Sequence, residues 1–249
     1  MIISGVALFF AFTNGFQDSS ATVATMVACR AATPRTSVLY SAAFGFLGAI
    51  LGGSAVAFTI GGLVQVPQPE ALLPILLAAV LSASTWNLIT WWFGLPSSST
   101  HALVGGLVGG GLAGAGAGSI SWGTTELLNG ELTGLTKILL LLVFSVAIGF
   151  LGGYLMKKAS MLALMNAKRS ANRPIRRAQF LTTAVLSFSH GANDGQKQMG
   201  VIIIALLAGG MISVQEIPLW VRLLVAGAIA MGTIGGGWKI MKTLGRRIF

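Results

Sequence analysis

The residues best suited to chemistry are concentrated in the segment SFSHGANDGQK, at positions 187–197. It places His190, Asn193, Asp194 and Lys197 directly before the apolar run MGVIIIALLAGGM. A charged side chain at the centre of a bilayer costs about 2.5 kcal/mol or more, so such groups within membrane spans usually serve an ion or substrate path. The pattern predicts binding of an anion, a cation or a proton.

A second copy of this pattern lies near the start of the chain. An offset of 176 residues lays the segment from Asn14 to Asp18 over the segment from His190 to Asp194. Glycine in each copy is predicted to interrupt a helix, and the half-helix that follows would present free N–H groups to an anion. Asp18 and Asp194, beside the freed carbonyls, suit a small cation or a proton. Repeated broken spans indicate an inverted-repeat transporter.

A third polar segment, GLPSSSTH at positions 94–101, interrupts another apolar stretch. Pro96 is predicted to end one helix, and the hydroxyl residues after it can cap the next. Their O–H groups and the N–H groups of the new helix can donate to an oxyanion. The four hydroxyl residues are Ser97, Ser98, Ser99 and Thr100.

Composition shows what must position these groups. Of the 249 residues, 54% are hydrophobic and only 9% are charged, and the mean hydropathy is +0.82. Runs longer than the roughly 20 residues needed to cross a bilayer predict membrane helices. These runs are Ser37 to Val64, Ala71 to Leu95, Leu135 to Met156 and Leu219 to Met241. The stretch 71–118 fits two spans or one re-entrant hairpin.

The net charge of +10 lies in blocks beside apolar runs, a distribution that sets topology and does not indicate nucleic-acid binding. The positive-inside rule places in the cytoplasm Arg30 and Arg35, the basic loop 157–177, and the block Lys239, Lys242, Arg246 and Arg247. The segments between these blocks are predicted outside. The only cysteine, Cys29, leaves no internal disulfide.

Simpler interpretations stay open for several of these residues. Asp194 and Lys197 are three positions apart and could form an internal salt bridge. His101 and His190 border the predicted breaks, and each could be a structural histidine or a proton carrier. Two histidines without clustered carboxylates make a poor metal site, so we assign no metal ligands. No nucleophile elbow or acid–base pair is evident, so we expect no enzyme activity.

Three motifs together resemble the inorganic phosphate transporter (PiT) family. They are NGFQDSSATVATMVACRAATPR from Asn14, GLPSSSTHALVGGLVGG from Gly94 and SHGANDGQKQMGVI from Ser189, the last in the form of bacterial members. The resemblance implies a carrier of inorganic phosphate and a coupling cation. It assigns Asp18, Asn193 and Asp194 to the core of the site, and residues 97–100 to a hydroxyl cradle.

The chain departs from the family's motifs at three positions. Gln17 stands where asparagine or histidine is usual, and Ala21 where many members have asparagine. Lys197 occupies the equivalent of Ala21 in the second copy. Our hypothesis is that Lys197 offsets the charge of the anion where sodium does so in sodium-coupled relatives, which favours proton coupling or transport of a metal–phosphate complex.

We therefore predict an all-α integral membrane protein, an inverted-repeat transporter with broken helices. Residues 1–133 would form the first repeat, 134–177 a linking span with the basic loop, and 178–249 the start of an incomplete second repeat. The family's second serine-rich motif would fall after Phe249.

The predicted function is secondary active transport of inorganic phosphate across the cytoplasmic membrane. The coupling ion would be a proton or sodium, bound at Asp18 or Asp194, or the cargo would be phosphate with a divalent metal. Phosphate would contact residues 97–100, Gln17, Asn193 and Lys197, with Asn14, His101 and His190 at the border of the site. A sulfate permease, a passive anion channel and a non-transporting fragment or subunit are the alternatives. The lipid bilayer is the expected surrounding, and assembly into a homo-oligomer is an open alternative.

Overall fold

The structure is a computed structural model that describes residues 2–213 and 216–236. Over these residues it is all-helical, as predicted. The α-helices are α1 Ile2–Ala28, α2 Pro34–Leu51, α3 Ala55–Gly61, α4 Pro69–Phe93, α5 Ser99–Ala115, α6 Thr124–Leu128, α7 Gly134–Ala163, α8 Asn172–Ala208 and α9 Leu219–Gly236. Short 3-10 turns lie at Ala117–Ser119 and Arg169–Ala171.

Three of the described helices, α4, α7 and α9, are long and apolar enough to cross a membrane. The predicted run 37–64 is divided into α2 and α3, which bend by 72° at their junction and together pass the same test. The predicted end of the last run and the basic block from Lys239 lie outside the described residues. These helices confirm a multi-pass membrane protein.

The break predicted at the GLPSSSTH motif is confirmed. Helix α4 ends at Phe93, and Gly94 adopts the left-handed conformation (φ 68°) that glycine accommodates without steric cost. Helix α5 then begins with Ser98 as its N-cap, because the Ser98 hydroxyl accepts from the amide of His101. The two helices pack as an antiparallel hairpin with Gly106 against Ala79.

The breaks predicted in the two repeated motifs are wrong. Helix α1 runs unbroken through Gly15 and Asp18, and α8 runs unbroken through Gly191 and Asp194. Neither glycine therefore creates a half-helix N-terminus or frees carbonyl groups. Each instead lets two backbones approach closely, since an added Cβ would overlap the backbone at Ile229 or at Gly45, respectively.

The two close helix contacts follow one pattern. In the α1–α9 pair, Phe12 meets Gly232 and Phe16 meets Gly236, so residue numbers rise together and the helices are parallel. Gly15 and Gly232 let the two backbones approach directly, whereas Gly236 makes room for the Phe16 ring.

The α2–α8 pair repeats that arrangement. Gly48 meets Phe188 and Gly52 meets Ala192, so these helices are also parallel. Phe188 and Ala192 are the residues that the sequence offset aligns with Phe12 and Phe16 of α1. The correspondence found between the polar motifs therefore extends to how their helices pack.

Helices α1 and α8 run in opposite directions past each other. Near one end of the contact, Thr22 of α1 and Ser187 of α8 both hydrogen-bond Ser41 of α2, at 2.8 Å and 2.9 Å. Further along, Asp18 meets His190, so the numbers fall on one helix as they rise on the other. This crossing brings the two repeated motifs face to face.

If Gly191 serves close packing, replacing it by alanine should destabilise the protein by about 1–3 kcal/mol, because the methyl group meets backbone that cannot yield. Gly149 of α7 is the control, since nothing lies within 4 Å of the position that an added methyl group would take there. Unfolding by denaturing detergent in mixed micelles measures both changes. Equal effects of Gly191→Ala and Gly149→Ala would contradict this role.

Candidate functional site

Four ionisable side chains meet where α1 crosses α8, and we call them the ionic cluster: Asp18, His190, Asp194 and Lys197. His190 Nε2 lies 3.1 Å from Asp18 Oδ1 and 3.6 Å from Asp194 Oδ2. Lys197 Nζ lies 2.5 Å from Asp194 Oδ1. The internal Asp194–Lys197 salt bridge that the spacing allowed is thus present.

The continuous helix α8 explains this geometry. His190, Asp194 and Lys197 are separated by four and three residues, so they share one face of the helix. Asp18 reaches that face from α1. One side of the cluster is more accessible to solvent than the other. The side chains of His190 and Asp18 are 35% and 21% exposed, whereas those of Asp194 and Lys197 are 5% and 2% exposed.

Lys197 also links the cluster to the start of α5. Its Nζ donates to Thr100 Oγ1 at 2.6 Å and lies 3.5 Å from Ser99 Oγ. An ammonium group has three donors, and Asp194, Thr100 and Ser99 are three acceptors for them. A buried cation that is paired and hydrogen-bonded in this way avoids the large cost of an isolated charge.

The structure divides the four predicted hydroxyl residues between two places. Ser99 and Thr100 lie against Lys197 at the ionic cluster. Ser98 caps α5, and Ser97 accepts from the Trp86 indole at 2.7 Å. Ser97, Ser98 and His101 line a separate cavity of about 850 Å³, together with Ser82, Trp86 and small residues of α4 and α5.

The start of α5 adds backbone donors to the Lys197 charge. Ser99 and Thr100 are the first two residues of a 17-residue helix, and N–H groups in a first turn have no acceptor within their own helix. The positive end of the helix dipole points the same way. Cation, hydroxyls and N–H groups thus converge at one turn, an arrangement that suits an oxyanion.

Three other predicted site residues lie apart from this turn. Gln17 faces α4, where its Nε2 donates to the Asn87 carbonyl at 2.9 Å and to Thr90 Oγ1 at 2.6 Å. Asn14 is fully buried, and Asn193 is exposed on α8. The structure therefore does not bring these three to the Lys197–Thr100 contact.

Buried amides on the apolar helices were not predicted to belong to a site. Asn87 of α4 is 1% exposed and contacts α1, and Gln198 of α8 is fully buried. Gln196 accepts from the amide of Val56 at 2.9 Å and so fixes the start of α3 on α8. A lone amide within a long apolar run was the only signal for Asn87.

The ionic cluster also has the geometry of a cation site. Asp18, His190 and Asp194 each offer one ligand atom, all within 4.8 Å of one another. One nitrogen and two carboxylate oxygens suit a divalent metal. Lys197 on Asp194 opposes that use, because its charge already neutralises one of the two carboxylates.

These features define a multi-pass helical membrane protein with a paired ionic site at its core. The chain belongs to the phosphate transporter family, whose sequence model matches residues 14–173 and 157–249. The family consists of transporters, which confirms the expectation that the protein is not an enzyme.

Individual relatives agree with this assignment. A probable low-affinity inorganic phosphate transporter of Rhizobium meliloti is 39% identical, over 98% of this chain and 70% of the relative. One of Bacillus subtilis is 36% identical, over 97% of this chain and 70% of the relative. A solved structure named the sodium-dependent phosphate transporter matches with a TM-score of 0.77 and 27% identity, covering 99% of this chain and 78% of that one.

Replacing Lys197 by methionine should destabilise the protein by about 3–5 kcal/mol, since it leaves the Asp194 carboxylate buried without its cation. The double variant Lys197→Met with Asp194→Asn should recover most of that loss. Exposed Lys157, changed to methionine, is the matched control. Detergent unfolding of all three reports the result, and a double variant no more stable than Lys197→Met would contradict the pairing.

Proposed function

We propose that the protein is a secondary active transporter that carries inorganic phosphate across the cytoplasmic membrane. The observation that carries the proposal is the contact of Lys197 with Asp194 on one side and with Thr100 and Ser99 on the other. It sets a cation and the first turn of α5 beside a pair of carboxylates.

Phosphate would bind at the start of α5. Its oxygens accept from the N–H groups of Ser99 and Thr100, from their hydroxyls and from Lys197, whose contact with Thr100 would loosen as the anion enters. At neutral pH phosphate also keeps a hydrogen that a carboxylate of the ionic cluster can accept. Sulfate has no such hydrogen and would be repelled by Asp18 and Asp194, so the cluster favours phosphate.

Coupling would involve Asp18, the carboxylate of the ionic cluster that Lys197 does not neutralise. Lys197 supplies one positive charge permanently, in the place where we expect sodium in sodium-coupled relatives. Asp18 has the more exposed His190 as its ion-pair partner and no contact with Lys197, so it is the natural acceptor for a proton or sodium. The ligand atoms shared by Asp18, His190 and Asp194 favour a metal–phosphate complex as the second candidate cargo.

Alternating access would arise from two inverted halves, residues 1–133 and 178–249, joined by the linking span and basic loop of residues 134–177. The matching glycine contacts of the α1–α9 and α2–α8 pairs, and the opposed directions of α1 and α8, support this division. The α4–α5 tip meets α8 at Lys197, well inside that helix, which favours a re-entrant hairpin over two full spans. Rocking of the halves would expose the site to each side in turn.

The orientation follows from charge. We propose that the loop 157–177 faces the cytoplasm, because it carries Lys157, Lys158, Lys168 and several arginines between α7 and α8. Helix α8 begins at this loop and α1 runs in the opposite direction, so α1 ends on the cytoplasmic side. Helix α9 is parallel to α1 and ends on that side too.

Uptake of labelled phosphate into liposomes containing the protein tests the proposal. We expect uphill uptake when a pH or sodium gradient is imposed, and little inhibition by excess sulfate. Thr100→Val should weaken the apparent phosphate affinity roughly tenfold, as expected for the loss of one hydrogen bond to a charged group. Thr182→Val, on the exposed side of α8, is the control. Inhibition by sulfate equal to that by phosphate would favour a general oxyanion permease.

The coupling role of Lys197 is tested by Lys197→Asn, which keeps a polar side chain and removes the charge. We expect uptake by this variant to depend more strongly on sodium, because a free cation must replace the ammonium group. Initial uptake rates at several sodium concentrations and pH values measure this shift. Uptake with unchanged rate and unchanged pH dependence would show that Lys197 takes no part in coupling.

A further inference from the structure

A cavity of about 580 Å³ lies beside the start of α8, away from the ionic cluster. Its volume is typical of a small-molecule site. Four arginines line it, and we call it the arginine pocket: Arg169, Arg173, Arg176 and Arg177. Arg173 lies three and four residues before the last two, so these three share one face of α8, and Arg169 lies in the 3-10 turn before it. Four guanidinium groups therefore surround one space.

The chain supplies no negative charge to this pocket. No acidic residue occurs between positions 19 and 69 or between positions 132 and 193, the two stretches from which the pocket is built. Among the described residues, every ion pair lies in the ionic cluster. Like charges one helical turn apart repel each other, so the four arginines are unfavourable together unless an anion joins them.

The start of α8 adds to the positive potential of the pocket. This 37-residue helix begins at Asn172 without a side-chain cap and without an acidic residue in its first turn. Asn172 and the preceding Ser170 line the pocket together with the arginines. The positive end of a helix dipole favours anions and disfavours basic side chains. An anion in the pocket would therefore offset both the dipole and the arginine charges.

The cations of the pocket are arginines, although the same basic loop also contains lysines. Lys157, Lys158 and Lys168 do not line the pocket, and Lys158 lies over the Tyr154 ring instead. Either type of residue serves membrane topology equally well. Guanidinium groups differ from ammonium groups in that their planar N–H pairs match two phosphate oxygens at once. The choice of arginine thus indicates recognition of phosphate and not charge alone.

An aromatic side chain forms the part of the pocket that lies further along α8. Phe180 lines the pocket and packs edge-on against Tyr40 of α2, with ring centroids 5.5 Å apart. Arg177 precedes Phe180 by three residues, about 4.5 Å along the helix. One headgroup layer of a bilayer is roughly 5–7 Å deep. In the orientation proposed above, the arginines therefore lie at the level of the cytoplasmic headgroups and of the water beside them.

We propose that the arginine pocket binds a phosphate group through its guanidinium groups. The phosphate group would belong to an anionic lipid headgroup or to a soluble phosphate compound of the cytoplasm. This site is separate from the proposed transport site, because Arg177 and Lys197 are about 30 Å apart along α8. Phosphate binding in the pocket does not depend on transport.

Two sets of variants test the site. In the pocket variant, three of the four arginines become glutamine, and in the loop control three lysines of the same loop do, so both lose equal charge. The pocket variant combines Arg173→Gln, Arg176→Gln and Arg177→Gln, and the loop control combines Lys157→Gln, Lys158→Gln and Lys168→Gln. The pocket variant should bind labelled pyrophosphate at least about tenfold more weakly than the unmodified chain, because it loses hydrogen bonds to a charged group. The loop control should bind like the unmodified chain.

Changing the same three arginines to lysine keeps the charge that sets membrane topology and removes the paired N–H groups. This variant should insert like the unmodified chain and bind pyrophosphate more weakly, which separates phosphate recognition from faulty insertion. Binding equal to that of the unmodified chain would overturn recognition by guanidinium groups.

Two measurements distinguish the sources of the phosphate group. Delipidated protein in neutral detergent is titrated with labelled pyrophosphate, and native mass spectrometry counts the phosphatidylglycerol that the protein retains, with phosphatidylcholine as the zwitterionic reference. Phosphatidylglycerol that displaces pyrophosphate and is lost from the pocket variant assigns the pocket to lipid headgroups. Pyrophosphate binding that depends on the arginines and withstands phosphatidylglycerol assigns it to soluble phosphate compounds.

Either of these results supports the pocket, and both are obtained without transport, so a protein that takes up no phosphate leaves the inference standing. Binding of both probes that falls no further in the pocket variant than in the loop control would overturn it. Citrate, a carboxylate of similar charge, should compete poorly with pyrophosphate. Equal competition by citrate would overturn the assignment to phosphate.

Discussion

The buried charge of Lys197 constrains the rest of the structure. An ammonium group that is 2% exposed must be paired and hydrogen-bonded, and its partners lie on both α8 and α5. Asp194 comes from the same helix, whereas Thr100 and Ser99 require the tip of the α4–α5 hairpin to reach into the bundle. The hydrogen bonds of Lys197 therefore require a helix to begin in the interior, which the break between α4 and α5 provides.

Helix packing around this charge depends on glycine. The carboxylate of Asp18 can reach His190 because α1 and α8 cross closely, and each is held by a parallel partner through contacts without intervening side chains. Gly15 and Gly191 serve these contacts in equivalent positions of the two motifs. Polar chemistry and close packing thus occupy the same short segment of each helix, which explains why the motifs are so dense.

Part of this arrangement could be predicted from the sequence. The spacing of Asp194 and Lys197 indicated a salt bridge, and Pro96 with the following hydroxyl residues indicated the break between α4 and α5. The breaks at Gly15 and Gly191 were wrong because glycine marks both an interrupted helix and a close helix contact. Only the position of the neighbouring backbone decides between the two, and a single sequence does not contain it.

The division of the hydroxyl residues was beyond the sequence for a related reason. Ser97 to Thr100 are consecutive, but the turn that begins α5 directs two of them to Lys197 and two elsewhere. Asn87 shows the same limit, because the partners of its side-chain amide and of its backbone carbonyl, Thr13 and Gln17, lie on another helix. Contacts between distant segments, and not residue type, decide where these side chains lie.

The most direct test of the account is to locate the bound anion. Crystals of the protein soaked with arsenate, which has the shape and charge of phosphate, would show arsenic by its anomalous scattering. The account predicts a peak at the start of α5, within hydrogen-bonding distance of Lys197 and Thr100. A peak only among the arginines of the 157–177 loop, or only in the cavity beside Trp86 and His101, would contradict it.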